Sequence, residues 1–330
     1  MGSRNWIAAL AVGAVVFAAA EAGPIITPAG TTLGFSLSHY FVDSQYYGIL
    51  GVTSGPGGAI YGAGYSYGQV IKLPDTDGIT YGGAIATAPS PGTPTGMAYA
   101  GGTLYLGVLG GGYYSVNPTT LATTALSLSQ SVAHAYGLWA NPVTGHLLAG
   151  DSIGMIDIDP LTGTVTVVGP GGLDGVTVSP DGKTGYGEYG GAFIKGYDLV
   201  TPNPGTAVFT SPVIPGGPDG TGIITGGTLN GDIIVNANNG DIILLDPTTG
   251  TQTVIASGGS RGDLVGPDFT NGTLLLDFSY DGLWRLAYAG GSIGGGGGGN
   301  PGVPEPATLL LLGVGLAGVA GIRRRRKNAD

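Results

Sequence analysis

The sequence lacks cysteine and is poor in charge and in histidine. None of its 330 residues is a cysteine, which excludes a disulfide framework, a thiol nucleophile and a cysteine-ligated metal. Charged residues make up only 10% of the chain. The three histidines, His39, His134 and His146, have no second His or Glu at metal-ligand spacing. The sequence also contains no P-loop and no serine nucleophile elbow.

Basic residues are scarce between the two ends of the chain. Residues 23–302 hold 18 acidic residues, 17 Asp and Glu188, against five basic ones, a net charge of −13. Such a surface repels nucleic acid and anionic polysaccharide. The partners that this charge leaves are neutral polysaccharides, cations and proteins.

Long apolar runs occur only at the ends of the chain. Near the N-terminus, Arg4 precedes an apolar run from Trp6 to Ala20, and small residues follow at the positions that signal peptidase reads. This pattern predicts a signal peptide over residues 1–22, cleaved between Ala22 and Gly23, and therefore export. The alternative is a retained N-terminal anchor.

The second apolar run, Ala307 to Ile322, contains 16 residues without a charge. As a helix it would measure about 24 Å, slightly less than a bilayer core of about 30 Å. Basic residues at 323–327 follow it and predict that the C-terminus stays in the cytoplasm before processing while the body lies outside. The sequence therefore predicts one transmembrane helix over residues 307–322.

A proline-flanked glutamate stands directly before this run. The order Pro-Glu-Pro, short apolar helix, arginine cluster resembles the PEP-CTERM sorting signal, here over residues 303–330. The resemblance implies recognition by exosortase, a transpeptidase-like membrane enzyme of Gram-negative bacteria, and a link to exopolysaccharide and biofilm production. It assigns recognition and stop positions to Pro304, Glu305, Pro306, Arg323, Arg324, Arg325 and Arg326. The alternative is a plain C-terminal anchor.

Glycine is the most conspicuous residue that the chain does contain. It has 68 glycines, yet 42% of its residues are hydrophobic, which is typical of many short strands joined by tight turns. Residues 290–302 read GGSIGGGGGGNPG and predict a flexible linker between the body and the tail.

The body, residues 23–289, repeats an apolar pair followed by Asp or Asn and a Thr/Gly turn. The units recur at intervals of 44, 42, 39, 48 and 39 residues, aligned on Leu73, Asn117, Asp159, Asp198, Asp246 and Arg285. A period in the low forties with four short strands predicts an all-β fold, a β-propeller. Stretches such as IDPLTGTVTVVG resemble YVTN/YncE-like exported propeller repeats.

The number of blades follows from the two ends of the body. The last unit lacks a fourth strand, whereas Thr31 to Phe41 forms a strand without a partner. We expect this N-terminal strand to complete the last blade, which gives six four-stranded blades. Seven blades and an all-β solenoid are the alternatives.

Several acidic residues stand at spacings found in calcium loops. Asp75-Thr76-Asp77-Gly78 and Asp157-Ile158-Asp159 could each begin such a loop, but neither completes one. We interpret Asp159, Asp181 and Asp246 as turn-capping residues, and Ca²⁺ stays a hypothesis. No other cofactor or metal is expected.

Two further features bear on function. His134 and Glu188 would matter for catalysis only if they lay with an Asp cluster at a central channel. Seven aromatic residues crowd a stretch of 28 and either fill the packing between blades or stack on sugar rings: Tyr40, Phe41, Tyr46, Tyr47, Tyr61, Tyr65 and Tyr67.

The sequence therefore predicts an exported, exosortase-sorted surface or matrix propeller without catalytic residues, binding polysaccharide or protein. The alternative is an extracytoplasmic propeller enzyme, a metal-dependent lyase or lactonase. Residues converging at a channel mouth would favour the enzyme.

Overall fold

A computed structural model describes residues 23–43, 47–171 and 174–294. The predicted signal peptide, the transmembrane helix and every predicted sorting residue lie outside the described residues. Within the part of the chain that the structure describes, no helix is long and apolar enough to cross a membrane.

The described part of the chain begins with β1 (Ile25–Ile26), the helix α1 (Pro28–Leu33) and β2 (Phe35–Phe41). The Thr27 hydroxyl oxygen caps α1 by accepting the Gly30 N–H at 3.1 Å, and Pro28 occupies the first helical position. Gly34 ends the helix at a φ of 90°, which favours glycine.

Six antiparallel sheets follow, and each is one blade. Blades 1 and 2 comprise β3 (Val52–Ser54), β4 (Ile60–Gly64), β5 (Gln69–Leu73), β6 (Ala86–Pro89), β7 (Pro94–Ala100), β8 (Thr103–Val108), β9 (Tyr113–Val116) and β10 (Thr123–Ala125). Blades 3 and 4 comprise β11 (His134–Ala140), β12 (Leu147–Asp151), β13 (Gly154–Ile158), β14 (Val165–Gly169), β15 (Val176–Val178), β16 (Thr184–Tyr189), β17 (Phe193–Asp198) and β18 (Phe209–Thr210).

Blades 5 and 6 complete the ring. They comprise β19 (Pro218–Ile223), β20 (Ile233–Ala237), β21 (Ile242–Leu245), β22 (Gln252–Ser257), β23 (Gly262–Asp268), β24 (Thr273–Phe278) and β25 (Gly282–Tyr288). Single 3₁₀ turns occur at Pro56–Gly58, Tyr81–Gly83 and Gly227–Leu229. The inner strands of blades 1 to 6 are β3, β7, β11, β15, β19 and β23.

The N-terminal strand closes the ring as predicted, but it begins at Phe35 and not at Thr31, because Thr31 to Leu33 form the last turn of α1. β2 pairs antiparallel with β25, from Phe35 opposite Tyr288 to Phe41 opposite Leu283, and so supplies the fourth strand of blade 6. The prediction of six blades is confirmed. The short β1 was not predicted; it pairs with β22 and adds a fifth strand to blade 5.

The core lies between neighbouring blades, so the middle strands are covered on both faces. All residues of β21 and β24 are buried, which explains their apolar runs IILL and LLL. The outermost β6 instead alternates between half-buried and exposed residues. Turn aspartates act as expected: the Asp159 carboxylate accepts the Leu161 N–H at 2.9 Å and the Thr162 hydroxyl at 2.7 Å.

The propeller has two distinct faces. We call the face where the inner strands begin the upper face, and the face where they end the lower face. The start of the predicted flexible linker packs on the lower face instead: Ile293 is only 1% exposed, and the Gly294 N–H donates to the carbonyl of Ile223, the last residue of β19. The described chain therefore ends on the lower face.

Candidate functional site

One residue near or just before the start of each inner strand lies at the upper end of the ring. These six residues, the mouth ring, are Leu50, Thr95, Tyr136, Asp174, Asp219 and Asp263. Five of them are followed by glycine. The ring is therefore divided: blades 1 to 3 contribute apolar, hydroxyl and aromatic groups, and blades 4 to 6 contribute three carboxylates.

The glycines let adjacent inner strands come into backbone contact. A Cβ added to Gly51 would lie 2.5 Å from the Cα of Gly96, and one added to Gly175 would lie 2.5 Å from the Cα of Gly220. A Cβ on Gly220 would overlap the carbonyl oxygen of Asp263. The close approach brings the side chains of neighbouring mouth-ring residues together.

Asp174, Asp219 and Asp263 form a compact acidic cluster. One carboxylate oxygen from each lies within 4.8 Å of the others, and this is the one group of three potential metal ligands in the described ranges. Asp219 and Asp263 are only 3% and 5% exposed, and Asp174 is half-buried. We call these three residues the acidic cluster.

Burial raises the pKa values of all three carboxyls of the cluster, and neighbouring carboxylates raise those of Asp174 and Asp263 further. Burial, reinforced by Asp219 and Asp263, raises the pKa of Asp174 well above its usual range. Burial and the Asp219 charge raise the pKa of Asp263 to about 7. Burial also raises the pKa of Asp219, but Arg261 acts in the opposite direction.

Arg261 is the countercharge of the cluster. Its guanidinium donates to Asp219 from Nη2 at 2.7 Å and from Nε at 3.1 Å, and its Nε also donates to the Asn238 side-chain oxygen at 2.6 Å. A further N–H donates to the Tyr47 hydroxyl. Arg261 therefore fixes Asp219 while the other two carboxyls have no cationic partner of their own.

A second layer of polar residues lies behind the cluster. The next-to-last residues of β16, β20 and β24 are Glu188, Asn236 and Asp277, whereas β4, β8 and β12 carry Ala63, Gly107 and Gly150 there. The Glu188 carboxylate accepts the Asp174 N–H at 3.2 Å, and the Asn236 amide donates to the Asp263 carbonyl at 2.9 Å. This layer holds the backbone of the cluster. Burial raises the pKa values of both Glu188 and Asp277.

The donor set suits a hard cation. Three buried oxygens, Asp174 Oδ1, Asn236 Oδ1 and Asp277 Oδ2, have no hydrogen-bond partner, although buried polar groups nearly always have one. Carboxylate and amide oxygens without nitrogen or sulfur are the ligands of Ca²⁺, Mg²⁺ and Mn²⁺. The residues around the cluster therefore fit such an ion.

Tyrosines border the cluster on its other side. Burial raises the pKa of Tyr136, and the nearby charges of Asp174 and Tyr65 raise it further. Tyr47 and Tyr65 meet edge to face, with ring centroids 5.8 Å apart. The mouth is thus acidic on one side and aromatic on the other.

Of the two residues named for a channel check, Glu188 joins the site and His134 does not. His134 is 1% exposed, and its Nδ1 hydrogen-bonds the Tyr113 hydroxyl at 3.2 Å. Tyr113 in turn donates to Asp151 at 2.9 Å. Burial lowers the pKa of His134 to about 3, so it stays neutral. Its role is in the packing between blades 2 and 3.

The two sequence stretches considered for calcium bind other partners instead. Asp75 and Asp77 both accept hydrogen bonds from the Arg285 guanidinium. The Asp157 carboxylate lies 2.7 Å from His146 Nδ1. Asp159 caps its own turn.

The sequence did contain a signal for the acidic cluster. Asp219 follows Asp174 by 45 residues and Asp263 follows Asp219 by 44, in phase with the blades. The first two belong to Asp-Gly pairs, which in isolation read as turns. When the repeat units are aligned on their first strands, and not on the turns after their third strands, the three aspartates fall at equivalent positions.

Comparisons with known proteins identify the tail and the fold. Residues 302–326 match the model described as the PEP-CTERM protein-sorting motif. A search of curated proteins gives no match.

Solved structures with the same fold include three propellers from other proteins. A gluconolactonase from Xanthomonas campestris has a TM-score of 0.61 at 13% identity, covering 81% of this chain and 95% of its own. Regucalcin, a calcium-binding protein from Agrobacterium tumefaciens, has a TM-score of 0.58 at 17% identity, covering 78% and 97%. Streptogramin B lyase has a TM-score of 0.54 at 12% identity, covering 77% and 98%. At these identities the likeness shows the fold alone.

These findings correct the prediction that the body is not an enzyme. It depended on finding no catalytic group in the sequence, whereas the structure gathers three carboxyls at the channel mouth. The solved propellers of similar fold include a gluconolactonase and a lyase. Local sequence motifs do not reveal this cluster, because residues 44 or 45 apart come together only when the ring closes.

Proposed function

We propose that the body is an extracytoplasmic, cation-dependent enzyme of the lactonase or lyase type, with its active site at the acidic cluster. One observation carries the proposal: three carboxyls from successive blades converge within 4.8 Å at the channel mouth. The similar fold of a gluconolactonase and a lyase supports it.

The residues divide into holding and positioning roles. Asp174, Asp219 and Asp263 would hold a hard cation such as Ca²⁺, Mg²⁺ or Mn²⁺. Such a cation polarises a carbonyl oxygen and lowers the pKa of a bound water. Arg261 orients Asp219, and Glu188 fixes the backbone at Asp174. Tyr136, kept protonated by its raised pKa, can donate a hydrogen bond to a ligand across the mouth.

The experiment compares purified protein with its Asp219→Asn variant on a panel of lactones, with Ca²⁺, Mg²⁺ or Mn²⁺ and with EDTA. We expect cation-dependent turnover that falls about 100-fold or more in the variant, since even supporting residues of metal sites cost roughly 10–100-fold. Asp246→Asn, in a lower-face turn, is the matched control and should retain activity. Turnover unaffected by EDTA, or equal in Asp219→Asn, would contradict the proposal, as would no turnover of any lactone.

The tail directs where this activity operates. The PEP-CTERM motif marks an exported, cell-surface-directed substrate of exosortase. We further propose the finer assignments: a signal peptide over 1–22, a body over 23–289, a linker over 290–302, a membrane helix over 307–322 and recognition at Pro304, Glu305 and Pro306 before the arginines at 323–326. The intact mass of the mature protein tests them. A C-terminus near residues 304–307 supports processing, and a mass retaining Arg323 to Asp330 supports a plain anchor.

A further inference from the structure

Four tyrosines extend from the acidic cluster outward over the upper face of blade 1. Tyr65 and Tyr67 belong to the hairpin between β4 and β5, and Tyr81 follows β5. Tyr47 lies between this hairpin and Arg261. We call Tyr47, Tyr65, Tyr67 and Tyr81 the tyrosine row.

The inner end of the row is rigidly attached to the cluster. The Arg261 guanidinium carbon lies 5.6 Å from the centroid of the Tyr47 ring, while the same guanidinium binds Asp219. The Tyr47 backbone adopts a left-handed φ of 51°, an uncommon value for this residue type. Its N–H donates to the Ser279 carbonyl at 3.0 Å, and its carbonyl accepts from the Ser66 N–H at 3.1 Å. Blades 6 and 1 therefore both hold Tyr47 in this conformation.

The outer end is a stacked pair. The rings of Tyr67 and Tyr81 lie 4.1 Å apart at an interplanar angle of 13°. The Tyr67 hydroxyl donates to Asp43 at 2.7 Å, and the Tyr81 hydroxyl donates to Gln69 at 2.6 Å. Because these hydroxyl protons are already engaged, what the pair offers a ligand is chiefly ring surface.

Exposure distinguishes the row from the rest of the aromatic segment. Tyr40 and Tyr61 are completely buried and pack the blades. All four members of the row are only half-buried, although they lie in the same part of the fold as Tyr40 and Tyr61. Tyr67 and Tyr81 also pack against the core beside Tyr40 and Phe41, but each of the four rings keeps a part exposed to solvent.

We propose that the tyrosine row binds an uncharged glycan chain beside the channel mouth. Sugar rings present apolar C–H faces that pack on aromatic rings, and their hydroxyls suit the carboxylate and amide acceptors beside the row. The net charge of −13 over residues 23–302 opposes anionic glycans. A row of rings that ends at the cluster favours an extended ligand over a single small molecule.

This inference goes beyond the proposed function, because an uncharged glycan offers a lactonase or lyase neither a lactone carbonyl nor a carboxylate-activated C–H. The glycan is a bound partner of the row, and the substrate of the acidic cluster is a separate molecule. Binding is measured in EDTA, without turnover, so that the two proposals can fail separately. If Asp219→Asn binds glycan but has lost turnover, both proposals are supported. If glycan binds and no variant or cation alters turnover, only the enzyme assignment falls.

The test titrates maltohexaose, cellohexaose, laminarihexaose and mannohexaose into the purified protein, with saturation-transfer NMR to detect contact and calorimetry to measure affinity. We expect at least one hexasaccharide to bind, and more tightly than its monosaccharide. Tyr65→Ala and Tyr81→Ala should each weaken binding about 10-fold, as expected for the loss of one stacking contact. Tyr65→Phe, which keeps the ring, should bind as the unaltered protein does.

Tyr114→Ala is the matched control, because Tyr114 is also a half-buried tyrosine but lies in β9 of blade 2. It should leave affinity unchanged. Failure of all four hexasaccharides to bind, or equal binding by Tyr65→Ala and Tyr81→Ala, would overturn the proposal. Capture of an aromatic peptide in place of every glycan would also overturn it.

Discussion

At the scale of single residues, the acidic cluster is held in an unfavourable electrostatic state. Buried carboxyls without cationic partners bind protons more tightly in the folded protein than in the unfolded chain. Asp263 shows this most clearly, since its pKa is raised to about 7, from an ordinary value near 4. Buried carboxyls with strongly raised pKa values are concentrated at functional sites in proteins.

The first prediction concerns pH and Asp263. Because its folded-state pKa is raised, Asp263 contributes stability at low pH that is lost as pH rises through about 7. In EDTA, Asp263→Asn should therefore become increasingly stabilising, relative to the unaltered protein, between pH 5 and pH 8. Calorimetric unfolding of both proteins at each pH measures this difference in stability. Buried His134 contributes with the opposite pH dependence, but it does so equally in both proteins, so its contribution cancels. A difference independent of pH would contradict it.

Residue chemistry was only partly predictable from the sequence. The turn roles of Asp159 and Asp246 follow from local hydrogen bonding, which neighbouring residues decide. Asp174 and Asp219 stand in Asp-Gly pairs, which also resemble turns. The surroundings of their carboxylates, however, are formed by blades that meet only in the closed ring. Local sequence does not encode that proximity.

At the scale of secondary structure elements, the inner strands depend on glycine where they touch. The second prediction is that Gly220→Ala lowers the free energy of unfolding by about 1–3 kcal/mol, since its Cβ would overlap the Asp263 carbonyl oxygen. Gly112→Ala is the control, because a Cβ there meets nothing within 4 Å. Urea denaturation measures both. Equal stabilities would mean that the inner strands separate more easily than this packing implies.

Blade 6 is tied to blade 1 by a buried ion network, which gives the third prediction. Arg285 binds Asp75, Asp77 and Asp268, and Asp268 is fully buried. Arg285→Met should cost about 3–5 kcal/mol of unfolding free energy, because it leaves a buried carboxylate unpaired.

Lys183 supplies the control for the ion network. Its pair with Asp181 is exposed at 67% and 60%, so Lys183→Met should change stability by less than about 1 kcal/mol. Urea denaturation again provides the measurement. Similar effects of the two substitutions would mean that the network does not join the blades.

Elements were the most predictable level of the structure. The repeat period and the unpaired N-terminal strand correctly gave six blades and their closure. The sequence reading missed β1 and α1, since a two-residue strand has no periodicity and the helix has only six residues. The Thr27-Pro28 pair is nevertheless a recognisable helix start.

At the scale of the whole molecule, the last described residues and the acidic cluster lie on opposite faces. Gly294 contacts Ile223 on the lower face, whereas the acidic cluster and the tyrosine row lie on the upper face. If the enzyme assignment holds, we expect the tail that follows residue 294 to leave the channel mouth open to ligand.

The fourth prediction follows from this separation. If the enzyme assignment holds, tail-processed protein and full-length protein in detergent should turn over substrate with kcat/KM values within about two-fold of each other. Steady-state kinetics on both forms measure this. A large gain on processing would mean that the tail covers the mouth.

Anomalous diffraction from crystals of the mature protein soaked in Mn²⁺ is the most direct test of the site. We predict a strong peak between Asp174, Asp219 and Asp263, about 2.0–2.6 Å from their carboxylate oxygens. A map with no peak there, or with Mn²⁺ only at the lower-face turn aspartates, would contradict the account.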